Sequence, residues 1–158
     1  MGHLFRYSGT NYDIWSDGYA PFLTDHKHGS HNLLIAVNCR LGDLDVTEFA
    51  LLDTGATWSV IDIDTARILG DQLGPSTESI DYITRFGKIR GDLHRLKITL
   101  LAETNCGSDL SVDGTVFVSE YWPGPIVLGY HGCIERIRIA LDPGLIVGRQ
   151  IFFFGEIK

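Results

Sequence analysis

The sequence predicts an all-β fold, a barrel or sandwich of short strands. Apolar and polar residues alternate over short stretches punctuated by turn formers, and no long segment repeats its apolar residues at the helical period. With 158 residues, 44% of them hydrophobic and 21% charged, the chain suits one domain with a proper core and is short for two.

Taken in order, residues 1–31 are polar, dotted with aromatics and rich in turn formers, as in "SGTNYDIWSDGYAP". They read as an irregular N-terminal arm or edge docked through Phe5, Tyr7, Tyr12 and Trp15. Residues 32–158 form the expected domain. "NLLIAVNCR" is a strand, "LGD" a turn, "DVTEFALLD" the next strand and "TWSVIDI" another. "DTARILG" is a short helical turn closed by Gly70, because glycine tolerates the backbone that ends a helix. "ESIDYITRF", "KIRGDLHRLKITLLAE", "GTVFVSEYW" and "IVLG" continue the β pattern, with "VDGTV" read as a hairpin turn at Asp113-Gly114. From Tyr130, "YHGCIERIR" spaces Cys133, Ile134 and Ile137 helically, which predicts one helix of about two turns. "RIALDPGLIVGRQIFFFG" closes the chain as a hairpin turning between Asp142 and Gly148.

Composition excludes several function classes. A net charge of -7 argues against non-specific nucleic-acid binding, which requires a basic surface. Cys39, Cys106 and Cys133 form no C-x-x-C pair, so neither a disulfide framework nor a structural zinc site is expected. His26, His28 and His31 lie close together, but no carboxylate or cysteine completes a site, so a solvated loop is expected and no metal or cofactor. No signal peptide or membrane-spanning segment is visible, which predicts a cytoplasmic protein with no membrane partner.

The segment "EFALLDTGATWSVI", Glu48 to Ile61, sets Asp53 between two apolar runs. An isolated D-T-G is an ordinary turn, but a turn normally sits among polar residues. The flanks place this carboxylate at the end of a buried strand, where an unpaired charge is costly. Gly55 permits a tight path that aims amide N–H groups at the carboxylate, and Thr54 adds a hydroxyl. One carboxylate alone is not enough to hydrolyse a peptide bond, but two sharing a proton can split the roles, one as base toward water and one as acid toward the carbonyl. Asp142 in "LDPG" superficially repeats the pattern, but Pro143 removes a backbone donor and a hydroxyl. One candidate per chain remains, so the second carboxylate is expected from another copy.

"LLDTGA", Leu51 to Ala56, resembles the active-site motif of retropepsin-like aspartic proteases. Three further features fall in the family's order. "GKIRGDLHRLKITL" from Gly87 resembles its distal flap strand, especially in the Ddi1-like branch. "IVLG", Ile126 to Gly129, is similar to its apolar-apolar-Gly motif, and "YHGCIERIRIALDP" to the helix and strand that follow. The resemblance spans roughly residues 32 to 155 and implies a closed acid-protease barrel with one short helix near the C-terminus. It implies an aspartic endopeptidase (a hydrolase) active as a homodimer on extended protein or peptide substrates. Asp53 of each copy would activate the lytic water, Thr54 would bond across the dimer, and Gly55 would bond the substrate backbone. Ala56 would line the floor. Thr84, Arg85, Phe86, Gly87, Lys88 and Ile89 would form a flap over the peptide with Gly87 as hinge or tip. "IVLG" would pass beneath the active-site loop and support it, with Ile126 among the substrate-binding residues. The alternative is a catalytically silent domain of this fold that binds peptides or dimerises.

Two departures have consequences. Where retroviral members usually pair an acidic residue with an arginine across the dimer, this chain has Thr57 and Tyr130, so that ion pair is missing. Ala56 stands where pepsin-like lobes carry a hydroxyl that stabilises the ionised carboxylate. Activity is therefore expected at mildly acidic to neutral pH; a pH–rate profile peaking below about pH 3 would contradict this.

Overall fold

A computed structural model of the chain describes residues 2–5, 14–25, 34–144 and 150–157. His26, His28 and His31 fall outside them, as do the turn residues from Leu145 to Arg149 and the side chains of the arm aromatics Phe5, Tyr7, Tyr12 and Trp15.

The first half supplies strands β1 (Gly2–Phe5), β2 (Ile14–Ser16), β3 (Gly18–Pro21), β4 (Leu23–Asp25), β5 (Leu34–Leu41), β6 (Glu48–Leu52) and β7 (Ser59–Asp62). Helix α1 (Ile63–Leu69) follows, then β8 (Ser76–Thr84), β9 (Gly87–Leu100), β10 (Leu110–Ser119), β11 (Val127–Leu128), β12 (Ile137–Asp142) and β13 (Ile151–Glu156). Among the described residues, eight strands form one sheet in the order β4-β5-β6-β11-β7-β10-β9-β8. The sheet closes on itself because β5 also pairs with β9, Cys39 opposite Leu100 and Leu41 opposite Ile98. The result is the closed barrel expected, with β4 and β8 continuing beyond the closure. A separate three-stranded sheet, β12-β13-β3, packs Phe152 and Phe154 into the barrel core.

Period-two alternation produces this core. Val37, Cys39 and Leu41 of β5 point inward with Leu96, Ile98 and Leu100 of β9, and all six are essentially inaccessible. A smaller second cluster of Val60, Leu93, Phe117 and Val127 lies beside it, with Ala56, Trp58, Tyr82 and Trp122 packed against it. Both faces of β10 are therefore apolar, as "TVFV" requires of a strand between two cores.

Helix α1 forms where a helical turn was expected. The Asp62 carboxylate caps it, accepting the N–H groups of Asp64 and Thr65 at 2.9 Å each and the Thr65 hydroxyl at 2.7 Å. Partial burial pushes this carboxyl up, but the bonds from Thr65 and Asp64 outweigh it and leave it below its ordinary value. Gly70, at φ +53, ends the helix.

Three local expectations change. The two-turn helix read from Tyr130 is one 3-10 turn, Ile134–Arg136. Gly132 at φ +74 precedes it, and Ile137 is taken up by β12 opposite Glu156, so the helical spacing has no room to propagate. Asp113-Gly114 lies inside β10, not at a turn. A side chain at Gly114 would come within 2.8 Å of the Ile98 side chain, so this glycine permits close packing between β10 and β9. Part of the segment read as an irregular arm or edge is edge strand: β3 pairs with β13 and β4 with β5. Among the described residues no helix is long and apolar enough to cross a membrane.

The three cysteines are free. Burial pushes the Cys39 thiol up to about 12 and the Cys133 thiol up to about 11, whereas Cys106 is half-buried. With the thiolate as the reactive form, a disulfide reagent at pH 8 is expected to titrate Cys106 quickly and the other two only after denaturant is added. Rapid labelling of all three in the native protein would contradict this packing.

Candidate active site

The site grows from the end of β6. That strand runs parallel to β11, Leu51 opposite Val127 and Leu52 opposite Leu128. The last bond of this pairing is from the Asp53 N–H to the Leu128 carbonyl, at 3.1 Å. The chain then reverses over four residues, Ala56 N–H donating to the Asp53 carbonyl at 3.2 Å. Inside the turn the Gly55 N–H donates to Asp53 Oδ1 at 2.9 Å, as short acceptor side chains do when they stabilise a turn.

The segment 126–131 grips this turn from both sides. Before it, the Leu51 N–H donates to the Ile126 carbonyl at 2.9 Å. After it, Tyr130 N–H donates to the Ala56 carbonyl and His131 N–H to the Thr57 carbonyl, each at 2.8 Å. Between these, the Gly129 N–H donates to the buried Ser59 hydroxyl at 3.1 Å. A β-carbon on Gly129 would sit 2.3 Å from the Trp58 carbonyl group, which explains the glycine after "IVL". Thr57 and Tyr130, which cannot form an ion pair, thus sit on two strand-like segments joined by backbone bonds.

Above the turn rises the β8–β9 hairpin, whose two-residue tip is Arg85-Phe86 between paired Thr84 and Gly87. The Thr84 hydroxyl accepts the Phe86 N–H at 3.1 Å and donates to the Gly87 carbonyl at 3.0 Å, and Gly87 adopts φ +105. Tyr82 meets Phe117 edge-on at 5.2 Å, and its hydroxyl accepts the Trp58 N–H at 3.4 Å. Phe86 packs edge-on against Trp122 at 5.5 Å. Between hairpin and turn lies a cleft of about 330 Å³, lined by Asp53, Gly55, Ala56, Tyr82, Thr84 and Arg85 together with apolar groups that include Val127 and Trp122.

No protein-family model matches the sequence, and no curated protein matches it. Solved structures do. The retropepsin-like aspartic protease from Rickettsia conorii superposes with a TM-score of 0.51 at 16% identity, covering 87% of this chain and 90% of that one. This chain has the retropepsin-like fold. Also similar are EIAV protease complexed with the inhibitor HBY-793 (TM-score 0.44, 17% identity, 60% of this chain and 79% of that one) and the retroviral protease-like domain of Ddi1 from Leishmania major (0.35, 13%, 79% and 94%).

On this retropepsin-like frame the expected site residues are distributed unevenly. Asp53, Gly55, Ala56, Thr84 and Arg85 line one cleft, and Thr54 is exposed at the turn between them. Phe86 and Gly87 are at the hairpin tip, while Lys88 turns to Asp81 at 2.8 Å and Ile89 packs on the second cluster. Ile126 is buried in the main core, and its neighbour Val127 reaches the cleft instead. Asp53 itself is exposed in the single chain, not buried as its flanks suggested, because the turn lifts it clear of β6. Asp142 repeats the motif's local geometry, its Oδ1 accepting the Gly144 N–H at 2.9 Å, but it is not among the cleft residues. Two lining aromatics were not anticipated. Tyr82 was legible, because it lies two residues before Thr84 and so shares its face. Trp122 was not, since its position depends on the hairpin folding back over it.

His131 does not pair with Cys133. Its Nδ1 lies 3.1 Å from Glu135, whose other oxygen accepts the Gly132 N–H at 2.6 Å. The Gly132 N–H, and then His131, hold the Glu135 carboxyl below its ordinary value. This bracket supports the segment that grips the Asp53 turn.

Gly129→Ala would force backbone apart at the centre of that grip. It is expected to lower stability by roughly 1–3 kcal/mol, the usual cost of overpacking, measured as a shifted denaturant midpoint. An unchanged midpoint would show that the contact relaxes freely.

Proposed function

We propose that the protein is an aspartic endopeptidase, active as a homodimer, that cleaves extended peptide segments with water activated between two Asp53 carboxylates. The observation carrying this reading is the placement of Asp53. It stands in a D-T-G-A turn of a retropepsin-like fold, fixed by backbone bonds on both sides, and is the one carboxylate among the described lining residues of the cleft.

The chemistry follows from that singularity. A lone ionised carboxylate can take a proton from water but cannot also protonate the carbonyl oxygen. Two Asp53 groups sharing one proton divide the work. The ionised one takes a proton as the water oxygen bonds to the carbonyl carbon, and the protonated one gives its proton to the carbonyl oxygen. Collapse of the tetrahedral intermediate breaks the C–N bond as the nitrogen is protonated. The exposure of Asp53 and Thr54 in the single chain is consistent with a second copy completing the site. That copy must dock without a free edge on β13, which is already hydrogen-bonded to β12 and β3 within the chain.

Asp53→Asn keeps the shape and removes the ionisation. It is expected to lower peptide cleavage by roughly 10²–10⁴-fold or more with unchanged circular dichroism. Excess Asp53→Asn protein mixed with the parent should also suppress the parent's activity by forming half-dead dimers. Undiminished cleavage by the variant, or active protein sedimenting only as a monomer, would refute the reading.

A further inference from the structure

Asp53 and Arg85 are the only charged side chains among the described residues lining the cleft. The hairpin carries three cations near its tip, and their surroundings differ. Lys88 and Arg90 both face Asp81, at 2.8 and 3.9 Å, and Asp81 is held below its ordinary value chiefly by Lys88. Neither lines the cleft. Arg85 does, and no carboxylate of the described residues lies within ion-pair distance of it.

Arg85 is nevertheless oriented. Its guanidinium lies over the Phe86 ring, 4.7 Å from the centroid. Phe86 in turn packs on Trp122, whose indole N–H donates to the Pro125 carbonyl at 2.9 Å. Stacking leaves the edge donors of a guanidinium open, in the planar fork that matches a carboxylate. The rest of the wall is largely apolar, with Leu34, Ile83 and Trp122. The overall charge of -7 opposes acidic ligands at long range, but over a Debye length of about 8 Å the nearest cation decides.

We propose that Arg85 determines substrate specificity by pairing with an acidic side chain of the bound peptide, so that the cleft selects extended peptides with Asp or Glu beneath the hairpin tip, flanked by apolar residues. The inference rests on the peptide-cleft reading above and names its substrate class; the dimer presents two such arginines.

The test uses peptide libraries with Glu, Gln or Lys at each position around an apolar core, and reduced-amide analogues of the best sequences that bind but resist cleavage. Cleavage and calorimetric binding are measured on the full chain and on Arg85→Gln and Arg85→Glu, both at an exposed tip. At one position, the Glu peptide is expected to exceed the Gln peptide by roughly twofold to fivefold in kcat/KM and affinity, the upper range of an exposed charge pair. The preference should vanish in Arg85→Gln, turn toward Lys in Arg85→Glu, and shrink in 1 M salt. Cleavage with no acidic preference, or a preference surviving in Arg85→Gln, overturns this inference and leaves the protease reading intact. Binding with the Arg85-dependent preference but without cleavage refutes the protease reading and upholds the inference. Neither binding nor cleavage sinks both.

Discussion

The two-sided hydrogen bonding of segment 126–131 to the Asp53 turn is the constraint on which the rest of this molecule depends. A four-residue turn at the end of a strand would ordinarily be free to move, and its side chains with it. Here the strand before the turn is bonded to Ile126 and Leu128, and the strand after it to Tyr130 and His131. The carboxylate therefore inherits the rigidity of the sheet. The cost is steric, because two backbones must pass at Gly129 with no room for a β-carbon.

The second apolar cluster does the corresponding work for the hairpin. Phe117 is fully buried on β10 and receives the edge of Tyr82 from β8, while Trp122 receives Phe86 from the tip. The hairpin strand β9 passes close to β10 at Gly91, where a β-carbon would meet the Val118 carbonyl at 2.2 Å and the Phe117 ring at 2.7 Å. Floor and roof thus rest on one small core: Ala56 and Trp58 below, Tyr82 and Ile89 above. A motion opening the hairpin would have to separate aromatic contacts but leave the barrel core, centred on β5 and β9, untouched.

Much of this was legible in the residues. Strand alternation in "LIAVNCRL" and "LHRLKITL" marked two strands that prove to be paired neighbours at the barrel closure, and the apolar flanks of "DTGA" marked a turn with a purpose. Helical spacing in "CIERI" was misleading, because three apolar residues at that spacing also suit a 3-10 turn running into a strand. "VDGTV" was misleading for the converse reason: Asp-Gly is a strong turn signal, yet Gly114 serves a close strand approach. Local signals fail where a distant neighbour determines the need for glycine.

By itself the sequence determined the periodicities, the turn residues and the chemistry available at Asp53, since these follow from side-chain type and spacing along the chain. It also determined that one chain offers one such carboxylate motif. Only the tertiary structure decided that Asp53 stands exposed above its strand, that Val127 and not Ile126 faces the cleft, and that Arg85 enters it while Lys88 and Arg90 turn to Asp81. The physical reason is the same in each case. Which way a side chain points, and which opposite charge it meets, depends on contacts between segments far apart in sequence, and no local pattern encodes those.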